Sequence, residues 1–357
     1  MGRLTTWLTA TQSISTSFVY NKHPLLRVAR VAIPLYFVLL ILTQQGYILP
    51  YVPESLAPSV LTALTTPHAP ETIVAGRIEN GRNTKPLTPR LPRKIWQIFF
   101  KRPIGNPIEK EVLADAVTWL ALNPEYQYVL LGDNKADEFA RMESKKHPAL
   151  PAIMAGLQNM GMKSDLLRYL VLSIEGGVYT DIDTEALKPI DKWIPQQYRA
   201  DAAIVIGVEF DRSPGEPLYD FSRNISFSQW TIAAAPGHEL FGFLLGKVVS
   251  KIEAMAKEQN QPFSHLSIRS EDVLQTTGPK IWTNSIFEYL QRYEPGLQDS
   301  DLSGLREPRL IGDVLIYPID GVAMGVPHSG ATNDGSIPDI ALLKHKFLGS
   351  WKGQLEQ

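Results

Sequence analysis

The chain has 357 residues, 44% of them apolar and 20% charged, the balance of a folded globular protein with room for one large or two modest domains. A formal net charge of −2 gives no electrostatic reason to expect a nucleic-acid partner. Cysteine is absent, which excludes disulfides, cysteine nucleophiles and thiolate zinc sites and leaves oxygen and imidazole as the strong metal ligands.

Residues 1–30 carry Arg3, Lys22, Arg27 and Arg30 but no acid; the first acidic residue is Glu54. Residues 31–52 run without a charge, a length that suits a membrane span of roughly 20 residues. The basic excess before that run places the N-terminus in the cytosol and everything beyond it across the membrane. The expected plan is a cytosolic tail at 1–30, a transmembrane signal anchor at 31–52, a Pro/Thr-rich stem at 53–90 and a lumenal globular domain at 91–357. Gln44, Gln45 and Gly46 weaken the span. A cleaved signal peptide and a mitochondrial presequence are the competing readings of the same start.

The globular part opens on strand-like alternation at 92–100, followed by a helix near 107–122 and a strand at 126–131. Helices are expected near 134–146 and 151–159, then one through Asp165, then a strand running to Asp183. Further strands are expected at 202–210, 225–235 and 309–317, with helices at 237–257 and 279–293. Alternation of strand and helix predicts an α/β fold with a mostly parallel central sheet. Ligands of such sheets sit beyond the carboxyl ends of the strands, where Asp181 and Asp183 fall.

Chemistry concentrates in Ser164–Tyr169 and Glu175–Thr184. Asp165 and Arg168 are three residues apart on a helix, hence neighbours on one face. Gly176-Gly177 lets the backbone turn sharply, and a short apolar strand then ends in Asp181-Ile182-Asp183. Carboxylates two apart on a strand share a face, and together they form a hard-oxygen site for a divalent cation that can bridge to a diphosphate. An isolated Asp-x-Asp is more often a solvated turn; the Glu-Gly-Gly and Val-Tyr that precede it favour a site. A haloacid-dehalogenase-type phosphatase uses the same spacing but asks for Thr or Val where this chain has Glu185.

As a surface ion pair Asp165 and Arg168 would contribute well under about 1 kcal/mol. Placed just before the acid pair, they are candidates for sugar hydroxyls and a phosphate. His345 offers imidazole, which suits Mn2+ better than Ca2+; His328 competes with it, and His238 is expected to cap or pack at a helix start. Glu209 and Asp211 fall where a strand end could present acids to an acceptor, with an ordinary polar loop equally open.

Taken whole, the stretch from Ser164 to Thr184 resembles the sugar-binding region with the Asp-x-Asp motif of family 32 glycosyltransferases. His345-Lys346-Phe347-Leu348-Gly349-Ser350-Trp351 resembles their closing His-x-Phe-x-Gly-Ser-Trp. Gly207–Asp211, Ser228–Ile232 with Pro236–His238, and Thr277–Thr283 extend the likeness over residues 94–352. Gln-Trp-Thr followed by Pro-Gly-His is similar to the fungal Golgi branch that begins the outer mannose chain of N-glycans.

The resemblance implies a GT-A-like nucleotide-sugar-binding fold and a retaining, metal-dependent transfer of mannose from GDP-mannose in α-1,6 linkage to a mannose-containing acceptor such as an N-glycan. It implies Mn2+ held by Asp183 and His345 with Asp181 assisting, donor contacts from Asp165, Arg168, Asp181 and Asp183, and a catalytic set of Asp165, Asp181 and Asp183. It also implies a single-pass type II protein of the Golgi membrane, with a place in a mannosyltransferase complex left open and no nucleic acid. Two departures stand out: Ala233-Ala234-Ala235 replaces a more polar run, and Ile174-Glu175 a tyrosine-rich turn. Another acceptor, such as inositol-phosphoceramide or another mannan, and a non-catalytic role in a mannan polymerase complex are the alternatives.

Overall fold

Lys94–Ile98 (β2) sends Ile95 into one apolar cluster and Trp96 and Ile98 into another. In this computed structural model the same alternation runs across the sheet, so cores form on both of its faces and both need a helical cover. The structure describes residues 72–75, 91–100, 110–212, 223–326 and 329–348. The tail, the span, most of the stem and His328 lie outside these residues. Among the described residues no helix is long and apolar enough to cross a membrane.

Within the segment read as stem, Thr72–Ala75 forms a strand (β1). The helices are α1 (Lys110–Leu122), α2 (Asp133–Met142), α3 (Leu150–Gly156), α4 (Met160–Ile174), α5 (Glu239–Gln259), α6 (Ser270–Thr276), α7 (Pro279–Leu290) and α8 (Ile319–Val322). The remaining strands are β3 (Gln127–Leu131), β4 (Gly177–Thr180), β5 (Thr184–Ala186), β6 (Ile204–Asp211), β7 (Ile225–Phe227), β8 (Thr231–Ala234), β9 (Arg309–Ile311), β10 (Val314–Tyr317) and β11 (Leu343–His345).

The sheet order is β1-β3-β2-β4-β8-β6-β10-β9, with β7 added to β6. Strands β3, β2, β4, β6 and β10 run the same way, as expected; β8 is antiparallel to both of its neighbours, as are the outer strands β1 and β9. One face carries α4, α5 and α7 over Leu166, Leu244 and Ile286, and the other carries α1 and α8 through Trp119 and Val322. Two expected strands are each divided in two. Ser228–Trp230 separates β7 from β8, and Gly312, at φ 58°, turns β9 back onto β10. The short helix α6 and the ribbon of β5 with β11 had no periodicity to announce them.

Helix α4 positions the site. Asn159 caps it by accepting a hydrogen bond from the Met162 N–H at 3.0 Å. Residues 165–173 are buried without interruption, as in a helix enclosed on all sides. It ends where Gly176 and Gly177 take φ of 62° and 98°. A Cβ on Gly176 would sit 2.6 Å from the Pro236 nitrogen, and one on Gly177 2.7 Å from the Lys94 carbonyl oxygen, so only glycine fits this passage from α4 into β4.

Candidate active site

Asp181 and Asp183 stand on the turn after β4, which ends at Thr180. Strand alternation therefore does not pair them; the turn does. Its backbone is held from every side. The Asp181 N–H donates to the Trp230 carbonyl at 2.8 Å, and its carbonyl accepts from Gln97 Nε2 at 3.0 Å and from the Thr184 hydroxyl at 2.5 Å. Gln97 is fixed in turn by the Tyr128 hydroxyl at 2.5 Å. The hydroxyl of Thr180 meets those of Thr184 and Thr231 at 2.7 and 2.8 Å. From α1, Trp119 Nε1 donates to the Thr184 carbonyl at 2.9 Å. This network was invisible in the sequence, because its members come from six separate elements.

Arg168 joins the two acidic regions. Nη1 lies 2.9 Å from Asp165 Oδ1 and Nη2 3.4 Å from Asp181 Oδ1, with all three side chains largely or wholly out of solvent. The Thr277 hydroxyl donates to Asp165 Oδ2 at 2.8 Å, and the Tyr179 hydroxyl to Asp181 Oδ1 at 2.5 Å. Burial disfavours the Arg168 cation, but Tyr179, Asp165 and Asp181 outweigh it and hold the guanidinium above its ordinary pKa. Burial likewise raises Asp165 against the pull of Arg168 and Thr277. The pair is therefore an interior brace and not a surface ion pair.

The C-terminal segment closes the site. Ribbon β5–β11 pairs His345 with Thr184, one residue beyond Asp183. His345 Nε2 then lies 3.0 Å from Asp183 Oδ1, the Leu348 N–H donates to Asp183 Oδ2 at 2.9 Å, and the Lys346 N–H donates to the Asp183 carbonyl at 3.0 Å. Burial raises the pKa of Asp183, but His345 and the Leu348 N–H more than reverse this, so it stays ionised to lower pH than an ordinary aspartate. Lys346 Nζ pairs with Asp115 Oδ1 of α1, pinning the strap to the body. The His345 ring is held between Trp230 and Phe347, with centroids 4.8 and 3.9 Å away. Phe347 has φ of 51°, an uncommon conformation for a bulky residue and a frequent one at functional sites.

Ligand atoms of Asp181, Asp183 and His345 all lie within 4.8 Å of one another. Two carboxylates and an imidazole form a donor set for a hard to borderline divalent cation. Donors about 2.1 Å from one cation and at right angles to each other stand about 3.0 Å apart, which is the separation of His345 Nε2 from Asp183 Oδ1. The residues fit a metal, whose binding would displace the proton shared by that pair.

Of the two acceptor candidates, the structure brings only Glu209 towards this site. Burial pushes its carboxyl up to about 8, and the neighbouring charge of Asp181 adds to the shift. Asp211 instead accepts from the Ser303 hydroxyl at 2.9 Å and the Gly304 N–H at 2.7 Å. The β6–β7 register shifts between Val208 and Phe210, which breaks the alternation that would have set both acids on one side. His238 caps α5, as expected: its Nδ1 accepts from the Leu240 N–H at 3.2 Å while Nε2 meets Asp313 at 3.0 Å.

Residues 110–200 match the glycosyltransferase sugar-binding region containing a DXD motif, which here is Asp181-Ile182-Asp183. The initiation-specific alpha-1,6-mannosyltransferase of Schizosaccharomyces pombe is 34% identical over 267 residues, covering 73% of this chain and 64% of its own length. This chain thus spans less than two thirds of that relative. The Candida albicans enzyme of the same name is 29% identical over 73% of this chain and 72% of its own. Among solved structures, the PaToxG glycosyltransferase aligns over 58% of this chain and 72% of its own at 18% identity and a TM-score of 0.39, too distant to argue from. Residues 110–200 thus carry the sugar-binding region of glycosyltransferases with a DXD motif, and the chain is homologous to the two fungal enzymes.

Proposed function

We propose that this glycosyltransferase moves mannose from GDP-mannose onto the 6-hydroxyl of an acceptor mannose, with retention at the anomeric carbon, on an N-glycan in the Golgi. The observation that carries the proposal is the convergence of Asp181, Asp183 and His345, the last two drawn from positions 162 residues apart, on one point at the sheet's carboxyl edge. The names of the relatives supply the sugar and the linkage. The strand order, with five strands running one way and β8 reversed among them, supports a GT-A-like architecture.

A divalent cation, with Mn2+ the expected one, would be held by Asp183 and His345 with Asp181 assisting, and would supply Lewis-acid neutralisation of the departing diphosphate. The protein's own groups do the positioning. Arg168 fixes Asp181 and keeps one positive charge beside the acids; Asp165, itself held by the Thr277 hydroxyl, holds Arg168 in turn. His345 and Asp183 stay correctly oriented because ring packing and backbone N–H groups hold them before any ligand arrives. The uncharged N-terminal run at 31–52 would anchor the chain with this domain in the lumen.

Incubating the full chain in detergent with labelled GDP-mannose, Mn2+ and an α-mannoside, followed by linkage analysis, tests the reading. It expects an α-1,6-linked product that disappears with EDTA and in Asp183→Ala. Transfer that persists undiminished in Asp183→Ala under EDTA would defeat it.

A further inference from the structure

Buried polar atoms without a hydrogen-bond partner around this edge of the sheet include Glu209 Oε2, Trp230 Nε1, His345 Nδ1 and Arg168 Nε. Buried polar atoms are paired as a rule, so an orphan beside a ligand site raises the question of what completes it. His345 Nδ1 belongs to the metal triad already described. Glu209 is different: it is one of the two acceptor candidates, and neither the metal triad nor the Arg168 brace uses it.

Two independent features single it out. Its carboxyl oxygen is shut away from water with no donor to meet it, an arrangement that costs stability and that a folded chain has no reason to keep unless a ligand completes it. The β6–β7 ladder also slips at this residue, between Val208 and Phe210. A bulge gives up regular pairing in order to re-aim a side chain, and bulges gather next to active sites.

Position within the sheet indicates the ligand. Strand β8 lies between β4 and β6, so the backbone of Glu209 is two strand spacings, roughly 10 Å, from the strand that delivers the aspartates. Trp230, at the head of β8, stands in the interval and carries the second orphan, an indole N–H. Across the edge the order is therefore the cation-binding turn, then Trp230, packed on His345 and Phe347, then Glu209. With a diphosphate at the turn, Glu209 would lie on the side of Trp230 away from the phosphates, where an acceptor sugar would approach.

We propose that Glu209 binds a hydroxyl of the accepting sugar and so sets acceptor affinity. The inference rests on the glycosyltransferase reading above and adds an acceptor-side group to a site otherwise built for the donor.

The test compares Glu209→Leu and Glu209→Gln in the full chain, with GDP-mannose, Mn2+ and methyl α-mannoside or α-mannobiose, reading KM for each substrate and the melting temperature. Glu209→Leu is expected to raise the acceptor KM by about tenfold or more and to leave the donor KM within about twofold. It should melt no lower than the wild type, because it removes a buried carboxyl oxygen that no donor meets. Glu209→Gln, which keeps a donor and an acceptor in place, is expected to stay within about threefold of the wild-type acceptor KM. An unchanged acceptor KM in Glu209→Leu, a donor KM that rises in step, or a lowered melting temperature in both variants would overturn the proposal. Loss of turnover in Glu209→Gln at constant acceptor KM would overturn it too, by placing the carboxylate in the chemistry itself. A folded wild-type chain that transfers no sugar contradicts the parent reading instead, and does so before any variant is made.

Discussion

Replacing Lys346 by Met should release the strap that carries His345. Asp115 is almost wholly buried, its Oδ1 is paired with Lys346, and its Oδ2 has no partner. The substitution leaves a carboxylate in the interior with no counter-charge, and breaking a buried pair from one side costs about 3–5 kcal/mol. The ammonium is partly solvated, with 31% of the Lys346 side chain exposed, so the lower end, about 3 kcal/mol, is appropriate. The strap is short, and its other anchors are the three hydrogen bonds to Asp183 and three-residue β11. The loss therefore falls first on strap docking, at about 150-fold in that equilibrium, and with it on cation affinity. Mn2+ titration monitored by the rise in melting temperature measures it. Lys346→Met is expected to cut the Mn2+-induced rise sharply, and adding Asp115→Leu, which removes the stranded charge, should restore most of it. If Lys346→Met matches the wild type in both melting temperature and Mn2+ response, the strap is not held in this way.

Three further outcomes follow from the geometry. Gly177→Ala should destabilise the domain by more than about 1 kcal/mol in urea unfolding, since it forces φ of 98° on a residue with a Cβ 2.7 Å from a carbonyl oxygen. Thr277→Val should remove the donor to Asp165 Oδ2 and cost about 1–3 kcal/mol, measured the same way, with a matching loss in transfer rate as Arg168 loosens. The third concerns pH. In the unfolded chain Glu209 ionises near 4.5, whereas in the fold it holds its proton to about 8. Over that window the folded state binds more protons, so metal-free stability should fall as pH rises, by at most about 1.4 kcal/mol per unit. Denaturation in EDTA at a series of pH values should show this slope in the wild type and lose it in Glu209→Gln.

What was legible in the sequence was local. Asp165, Arg168, the two glycines and the aspartate pair lie within 19 residues of one another, and helix, turn and strand each leave their own mark on such a stretch. Their chemistry could be read because few residues separate them. His345 joins Asp183 across 162 positions through strands of three residues, too short for any periodicity to reveal, so only the resemblance pointed to it. Glu209 and Asp211 looked equivalent, because a bulge leaves no trace in residue type. Tyr179, Gln97 and the three threonines read as ordinary strand residues and prove to be the frame of the aspartate turn. Asp115 and Lys346 carried no signal at all; charge pairs separated by 231 residues depend on topology alone.

Electron paramagnetic resonance of Mn2+ titrated into the purified full chain with GDP, for the wild type, Asp183→Ala and His345→Ala, addresses the triad most directly. Tight binding of one ion by the wild type, lost in Asp183→Ala and strongly weakened in His345→Ala, is the predicted result. Equal Mn2+ binding by all three proteins would contradict a cation site at this turn.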